Sequence, residues 1–424
     1  MYPFVRQLLS FDNSKTSTKL GALILDVKGN FHKQVYTYCK ELERLDDLIT
    51  LEVGGSFTYN PLDKPNLKPS VLAYRLKTIL KMFSPETSES YWLDKAEQVL
   101  CEAIKLCRLY NNGYVTFDEL HKLLNNEAYF SEKIDYIKNC FLERKLSESE
   151  IYDFSSAFNF FESEFSKLDS RTLSILKSEI TRITGSFVSE YDVLKTFCPK
   201  KEDISFNGFS DVIKNGKIVV LNMNIAEYKN LSKIIAAYLK LDFQTEVLMN
   251  ISSNTVVPSA FVCDEYHEYV TDTDASFFAQ SREAKVINIV ATQSYTSILN
   301  SLRNESSTKV IVQNLINKIW YRTDDAFTIE DAQKQIGKED KTKISKSVSE
   351  NAEKTNYNYF INSLNSKNSN ISESVSTYVN SEYIYDTNFF TRDLETFSAL
   401  VFLSNGNKIL EPQKLKMLPY FFNN

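Results

Sequence analysis

Glycine is scarce in this chain, with 10 among 424 residues, against a usual share of roughly 7%. Loops that cradle phosphates are built of glycine, because only a backbone without Cβ approaches the phosphates closely. No GxxxxGK[ST] segment occurs. The only Gly-Lys pairs, Gly216-Lys217 and Gly337-Lys338, are followed by the wrong residues, Ile218 and Glu339. Ser14-Lys15-Thr16 lacks both the glycines and a preceding strand. Histidine is rarer still, with only His32, His121 and His267, so a histidine-rich metal site is not expected. The six cysteines (Cys39, Cys101, Cys107, Cys140, Cys198, Cys263) show no CxxC spacing and sit mostly in apolar runs. They read as reduced core residues of a cytoplasmic protein, not as a disulfide or zinc framework. No run approaches the roughly 18 apolar residues of a membrane span, and the opening MYPFVRQLLSFDNSK has no signal-peptide pattern. A net charge of −6 and a pI near 5.5 argue against a protein that coats nucleic acid over its whole surface, though not against a local basic lining.

What is present is a globular composition, 43% hydrophobic and 25% charged, in a chain long enough for two or three domains. Residues 20–27 (LGALILDV) read as a buried strand ending at Asp26, followed by Lys28-Gly29 and a helix over about 31–43. Residues 47–53 read as a second strand, and the prolines at 61, 65 and 69 mark a boundary. From about 68 to 197 apolar residues recur three and four apart, which predicts four to seven helices and no strand. Strand signals resume at 217–222, 260–263, 286–291, 318–322 and 399–403, with helices over 231–249 and 308–316 between them. This alternation predicts an α/β fold with a mostly parallel sheet flanked by helices and an inserted all-α domain. The expected division is 1–66, the first part of the α/β domain; 67–200, the helical insert; and 201–424, its remainder. The Ser- and Asn-rich stretch at about 344–380 shows no clear period and reads as an exposed arm or loop.

Four strands stop at polar residues: Asp26, Asn222, Asp264-Glu265 and Gln293. In an open parallel sheet these would share the edge where ligands bind. Asp26 or Asn222 alone reads equally well as a strand-terminating turn. Asp264 and Glu265, directly after the apolar AFVC, carry the stronger signal. In phosphoryl-transfer chemistry Asp264 would hold Mg²⁺ through its water shell and Glu265 would polarise the attacking water. Gln293 would sense the γ-phosphate by hydrogen bonding, and Asp26 and Asp264 would be the nucleotide-side contacts. Arg282 lies at the start of the Gln293 strand or the end of the preceding helix, and so at the opposite edge of the sheet. It could reach a neighbour's nucleotide in a ring, as an arginine finger in trans; the alternative is a solvated arginine after a helix. Arg322 is a second candidate, or a strand end paired with Asp324 or Asp325. His267 reads as a satisfied helix-start residue, and Lys200-Lys201 as a solvated linker.

The ordered set LGALILDVKGNF (20–31), YNPLD (59–63), YWLDKAEQVLCEAI (91–104), VVLNMN (219–224), CDEYHEYV (263–270), NIVATQSYTSI (288–298) and WYRTDDAFTIEDAQKQIGKE (320–339) resembles the TraG/TraD-type coupling proteins. These are the conjugative DNA-transfer ATPases of type IV secretion systems, in the FtsK/HerA branch of RecA-like motors. The likeness runs through nearly the whole chain and includes a closing VFLSNGNKI…P segment (401–412). It implies a RecA-like domain, ATP and Mg²⁺ bound between subunits of a hexameric ring, and an all-helical domain for substrate recognition. The implied cargo is a relaxase on single-stranded DNA, passed to the secretion channel from the inner face of the cell membrane. By motif position Asp264 and Glu265 match the Walker B carboxylates, Gln293 the sensor glutamine and Arg282 the arginine finger.

The departure is the GxxxxGK[ST] loop, which family members carry ahead of the DxKG strand, usually after transmembrane helices. The opening residues 2–9 look like the helix that follows such a loop. The expectation is a coupling-protein motor domain without its front end, through truncation, a split gene or a misplaced start. Nucleotide binding by this chain alone should then be weak or absent, with P-loop-bearing subunits completing the ring. The competing reading is a non-hydrolysing ring subunit or substrate-receptor adaptor. A third is a related DNA motor of mobile-element replication or packaging.

Overall fold

The computed structural model describes residues 1–11, 18–84, 90–143, 146–251, 258–351, 356–358, 363–365 and 370–418. Ser14-Lys15-Thr16 therefore lies outside the described residues. Two compact units divide the chain, Met1–Ile316 and Asn317–Asn424.

The first unit is built on five strands: β1 (Gly21–Leu25), β2 (Leu48–Leu51), β3 (Ile218–Leu221), β4 (Ser259–Cys263) and β5 (Val286–Val290). All neighbours are parallel, in the order β2-β3-β1-β4-β5. β1, β3 and β4 are buried along their whole lengths, which is why they read as unbroken apolar runs. Alternate residues serve two different cores. Leu23, Leu25, Val219, Leu221, Phe261 and Cys263 face the larger one. Ala22, Ile24, Ile218, Val220, Ala260 and Val262 pack instead against α1 (Tyr2–Leu9) and α2 (Phe31–Glu41).

The larger core is shared with the helices. Over 69–197 these are α3 (Pro69–Phe83), α4 (Ser90–Tyr110), α5 (Phe117–Asn125), α6 (Glu127–Glu143), α7 (Glu148–Phe160), α8 (Ser170–Val188) and α9 (Tyr191–Phe197). Short helices α10 (Ser210–Asn215) and α11 (Ile225–Tyr228) flank β3, and α12 (Asn230–Met249) leads to β4. α13 (Asp274–Gln280) connects β4 to β5, and α14 (Tyr295–Leu302) and α15 (Glu305–Asn314) close the unit. The central element is α12, buried on nearly every side. Its buried charges are paired internally: Lys240 ion-pairs with Asp274 at 2.6 Å, and Asp242 accepts from Tyr59 and Arg75 at 2.6 and 2.9 Å.

In the second unit, β6 (Lys318–Trp320) is followed by α16 (Ala326–Ile336), β7 (Lys338–Asn351), β8 (Asn356–Asn358), β9 (Ser363–Asn365), β10 (Asn370–Tyr383), β11 (Ser398–Phe402) and β12 (Gln413–Lys416). Two expectations are corrected here. The strands at 318–322 and 399–403 do not extend the parallel sheet; β6 and β11 pair antiparallel with each other, and β12 adds to β11. Trp320, Phe390, Leu400 and Phe402 give this sheet a small core of its own. The stretch at 344–380 is an exposed arm but not an irregular loop among the described residues, since β7 and β10 pair along their full length as an exposed ribbon.

Candidate functional site

The register sets the site. Leu25 pairs with Cys263 and Cys263 with Val290, so Asp26, Asp264 and Ala291 leave the sheet at one level. The ladder runs on past the strands, with Asp264 N–H donating to Leu25 C=O at 3.0 Å and Ala291 N–H to Cys263 C=O at 2.9 Å. The connection after β1 runs toward β2 and the one after β4 toward β5, so the chain diverges between β1 and β4. That crevice at the carboxyl edge is where open α/β sheets bind ligands.

Glu265 follows at φ 48°, ψ 48°. For a side chain other than glycine the left-handed region costs about 1–2 kcal/mol, and such strain persists only where the surroundings impose it. Tyr266 imposes it. Its N–H donates to Ala291 C=O at 2.7 Å, and its fully buried hydroxyl donates to Asp274 at 2.7 Å. Asp274 is in turn gripped by Lys240, by Gln244 at 2.8 Å and by Thr271 N–H at 3.1 Å.

Three groups converge on the Glu265 carboxylate. Gln293 donates through Nε2 at 3.3 and 3.4 Å, Lys28 Nζ lies 3.8 Å away, and His267 Nδ1 also 3.8 Å. His267 is otherwise satisfied, with Nδ1 3.2 Å from the Thr292 hydroxyl. Lys28 is the residue that sequence reasoning passed over. Its signal was the Lys-Gly pair directly after β1, which becomes meaningful only once β1 and β4 are neighbours. Gly29, at φ +66°, lets that turn pass close to Asn224, whose N lies 3.0 Å from where a Cβ would stand.

Asp26 is buried and its oxygens are engaged locally. They accept from the N–H groups of Lys28 at 3.0 Å, Asn30 at 3.0 Å and Phe31 at 3.1 Å, which caps the start of α2. Asn222 donates to Glu52 at 2.7 Å and so ties β3 to the end of β2. Burial first, then the nearby Asp26 carboxylate, pushes the Asp264 carboxyl above its usual range. Burial lowers the Met1 α-amino group while Asp264 pulls the other way, which sets the start of α1 beside the same carboxylate. Arg282 is exposed in the turn ahead of β5, at the opposite edge of the sheet from Glu265. Arg322 is exposed after β6 in the second unit, and Asp325 caps α16 by accepting from Thr328 N–H at 2.9 Å.

The donor set fits one half of a metal–nucleotide group. Asp264 carries an uncompensated electrostatic cost that a cation would remove. The buried Tyr269 hydroxyl, within the electrostatic reach of Asp26 and Asp264, has no hydrogen-bond partner among the described residues. No cluster of three or more His, Cys, Asp or Glu suited to a metal occurs among those residues. A single carboxylate suits an ion that keeps most of its water, as Mg²⁺ does. The phosphate half has no counterpart in this sequence.

Residues 258–382 match the family model described as the TraM recognition site of TraD and TraG. No curated protein matches the chain. Among solved structures, the unbound bacterial conjugative coupling protein TrwBΔN70 is similar at 13% identity and a TM-score of 0.57, over 94% of this chain and 80% of that one. The plasmid coupling protein TrwB in complex with ADP and Mg²⁺ is similar at 12% identity and a TM-score of 0.59, over 94% and 78%. Over 258–382 the chain thus has the sequence signature of the TraM recognition site of TraD and TraG, and it shares with the TrwB structures a RecA-like α/β fold with an all-α part. No helix of the described residues is long and apolar enough to cross a membrane.

Proposed function

We propose that the chain is the motor domain of a conjugative coupling protein, driving single-stranded DNA with its bound relaxase toward a type IV secretion channel by ATP hydrolysis. The observation that carries this reading is Glu265, held in a strained backbone beside Asp264, with Gln293 and Lys28 turned onto its carboxylate. A bound Mg²⁺–nucleotide would supply the phosphoanhydride to be cleaved, and Asp264 would hold the metal through its water shell. Glu265 orients the attacking water and accepts its proton. Gln293, at hydrogen-bond range of Glu265, fixes that carboxylate and responds to the phosphate side. Arg282 stands too far from its own Glu265 and serves the site of a neighbouring subunit, which makes a ring of copies part of the reading. The helices over 69–197 are the surface for cargo, and the assembly works at the inner face of the cell membrane.

The phosphates need a cradle of backbone amides and a lysine such as a GxxxxGK[ST] loop supplies, and that motif is absent from these 424 residues. Such a loop, in cis or on a partner subunit, would supply them. Mg²⁺–ATP binding and DNA-stimulated hydrolysis are therefore measured on this chain alone and after a strand with a GxxxxGK[ST] loop is joined ahead of α1. The expected result is weak binding alone and turnover only after joining, with Glu265→Gln in the joined form binding nucleotide but not hydrolysing it. Absence of binding and turnover in both forms would replace the motor with the second reading, a non-hydrolysing ring subunit or receptor, which the missing phosphate loop favours.

A further inference from the structure

In the ribbon of β7 and β10 the register runs from Lys338↔Tyr383 to Asn351↔Asn370. Residues directly opposite each other in an antiparallel pair share a face, and the two faces differ in kind. One holds polar rungs, among them Ser345/Ser376, Ser347/Ser374 and Ser349/Ser372. Its charges are satisfied within the ribbon: Lys343 pairs with Glu382 across the strands, and Lys341 pairs with Glu339 at 3.3 Å.

Beyond Lys338/Tyr383 and Asp340/Ser381, the other face holds four rungs, Thr342/Val379, Ile344/Thr377, Lys346/Val375 and Val348/Glu373. Each rung carries one aliphatic residue, and these alternate from strand to strand. All four are open to solvent: Val379 64%, Ile344 65%, Val375 59% and Val348 60% exposed. Lys346 and Glu373 are also exposed, and neither has an ion-pair partner among the described residues. A two-stranded ribbon is marginal by itself in water, and an uncovered aliphatic stripe on one is a liability.

We propose that this face packs against the same face of a second copy of the chain. The charge pattern selects that occupant. One cation and one anion on successive rungs of a single face are self-complementary, whereas a wholly apolar or single-signed partner would leave one of them buried and unpaired. A two-fold axis in the plane between two ribbons sets Lys346 of one copy beside Glu373 of the other, twice, with the lysine stem lying over an aliphatic residue. Four rungs bury less than the roughly 1,200 Å² of a stable complex, so the contact is weak. It requires no nucleotide and stands or falls separately from the motor reading.

Sedimentation equilibrium of the whole chain over about 10–500 µM, the range in which a contact of this size associates, tests it. The expected result is an average mass that rises with concentration. Lys346→Glu and Glu373→Lys should each weaken association about tenfold or more, and the double exchange should restore it. Val375→Ser should weaken it without altering the circular dichroism. A mass of one copy throughout, single exchanges without effect, or a double exchange as weak as either single would overturn the proposal. Exposure of these positions keeps folding out of the comparison.

Discussion

Glu265 stands in the left-handed region because Tyr266, one residue on, is pinned by Ala291 and Asp274. Replacing it by glycine removes a strain of about 1–2 kcal/mol against an unfolded-state cost of about 0.5–1 kcal/mol. Glu265→Gly should therefore stabilise the chain by about 0.5–1 kcal/mol in urea unfolding, while hydrolysis in the joined form is lost. A lower midpoint would mean that the backbone there is not under strain. Asp264 is governed by pH. Burial and Asp26 raise its folded pKa, so the folded state holds this proton more tightly than the unfolded one. Its ionisation thus costs stability; the cost is absent below the ordinary value of about 3.9, grows as pH rises through the raised value and is complete above it. Asp264→Asn should raise the urea midpoint near neutral pH, and the gap from the native chain should close as pH falls. A gap of constant size across pH would remove the titration from the account. These carboxylates were legible in the sequence because AFVC stops on them abruptly. The engagement of Asp26 by three backbone N–H groups was not, since an aspartate at a strand end looks the same whether it faces a ligand or caps the next helix.

At the scale of elements, α12 carries the polar cost of the first unit. Residues 240 and 244, four apart, share one face of the helix while 242 lies on another, so Lys240 and Gln244 serve Asp274 while Asp242 meets Tyr59, Arg75 and Lys64. Burial alone would raise the Asp242 carboxyl, but Lys64 and Arg75 outweigh it and hold it below the usual range. Its contribution is therefore present above the ordinary carboxylate pKa and lost as pH falls through the lowered value. Removing one partner of a fully buried pair leaves an uncompensated charge and costs about 3–5 kcal/mol. Lys240→Met should cost that much, and Lys240→Met with Asp274→Leu much less than the sum of the singles, measured as a double-mutant cycle in urea. Additive losses would mean that the two do not act as a pair. The helix itself was legible from its apolar run, but the burial of Lys240, Asp242 and Gln244 was not, because such residues in a helix are ordinarily exposed. The misassigned strands have an equally local cause. β6 is three residues long, too short to reveal in its own pattern whether its partner is parallel. β7 and β10 are rich in serine and asparagine, residues with little strand preference, and are held by their pairing.

At the scale of the whole molecule, the first unit contains both ends of one catalytic argument and keeps them apart. Glu265 follows β4 at its carboxyl end, and Arg282 precedes β5 at its amino end. A strand of five residues separates those edges by roughly 17 Å at about 3.4 Å per residue, beyond an arginine side chain. What sequence order revealed was this opposition; what it could not reveal was the neighbour that would resolve it, since a ring is a property of copies and not of one chain. The arrangement predicts complementation. Because Arg282 is exposed, Arg282→Ala should change stability by less than about 0.5 kcal/mol and leave nucleotide binding intact in the joined form, yet remove hydrolysis. Glu265→Gln should do the same through the other half of the interface. Mixed one to one, about one interface in four pairs an intact Glu265 with an intact Arg282 of the adjacent copy, and activity should return to that extent. Each variant alone is inactive, so any recovered turnover reports a site shared between copies. Inactivity of the mixture, with ring formation verified by sedimentation, would instead confine Arg282 to its own surface and leave the transition-state charge to another residue, of which Arg322 is the next to test by the same mixture.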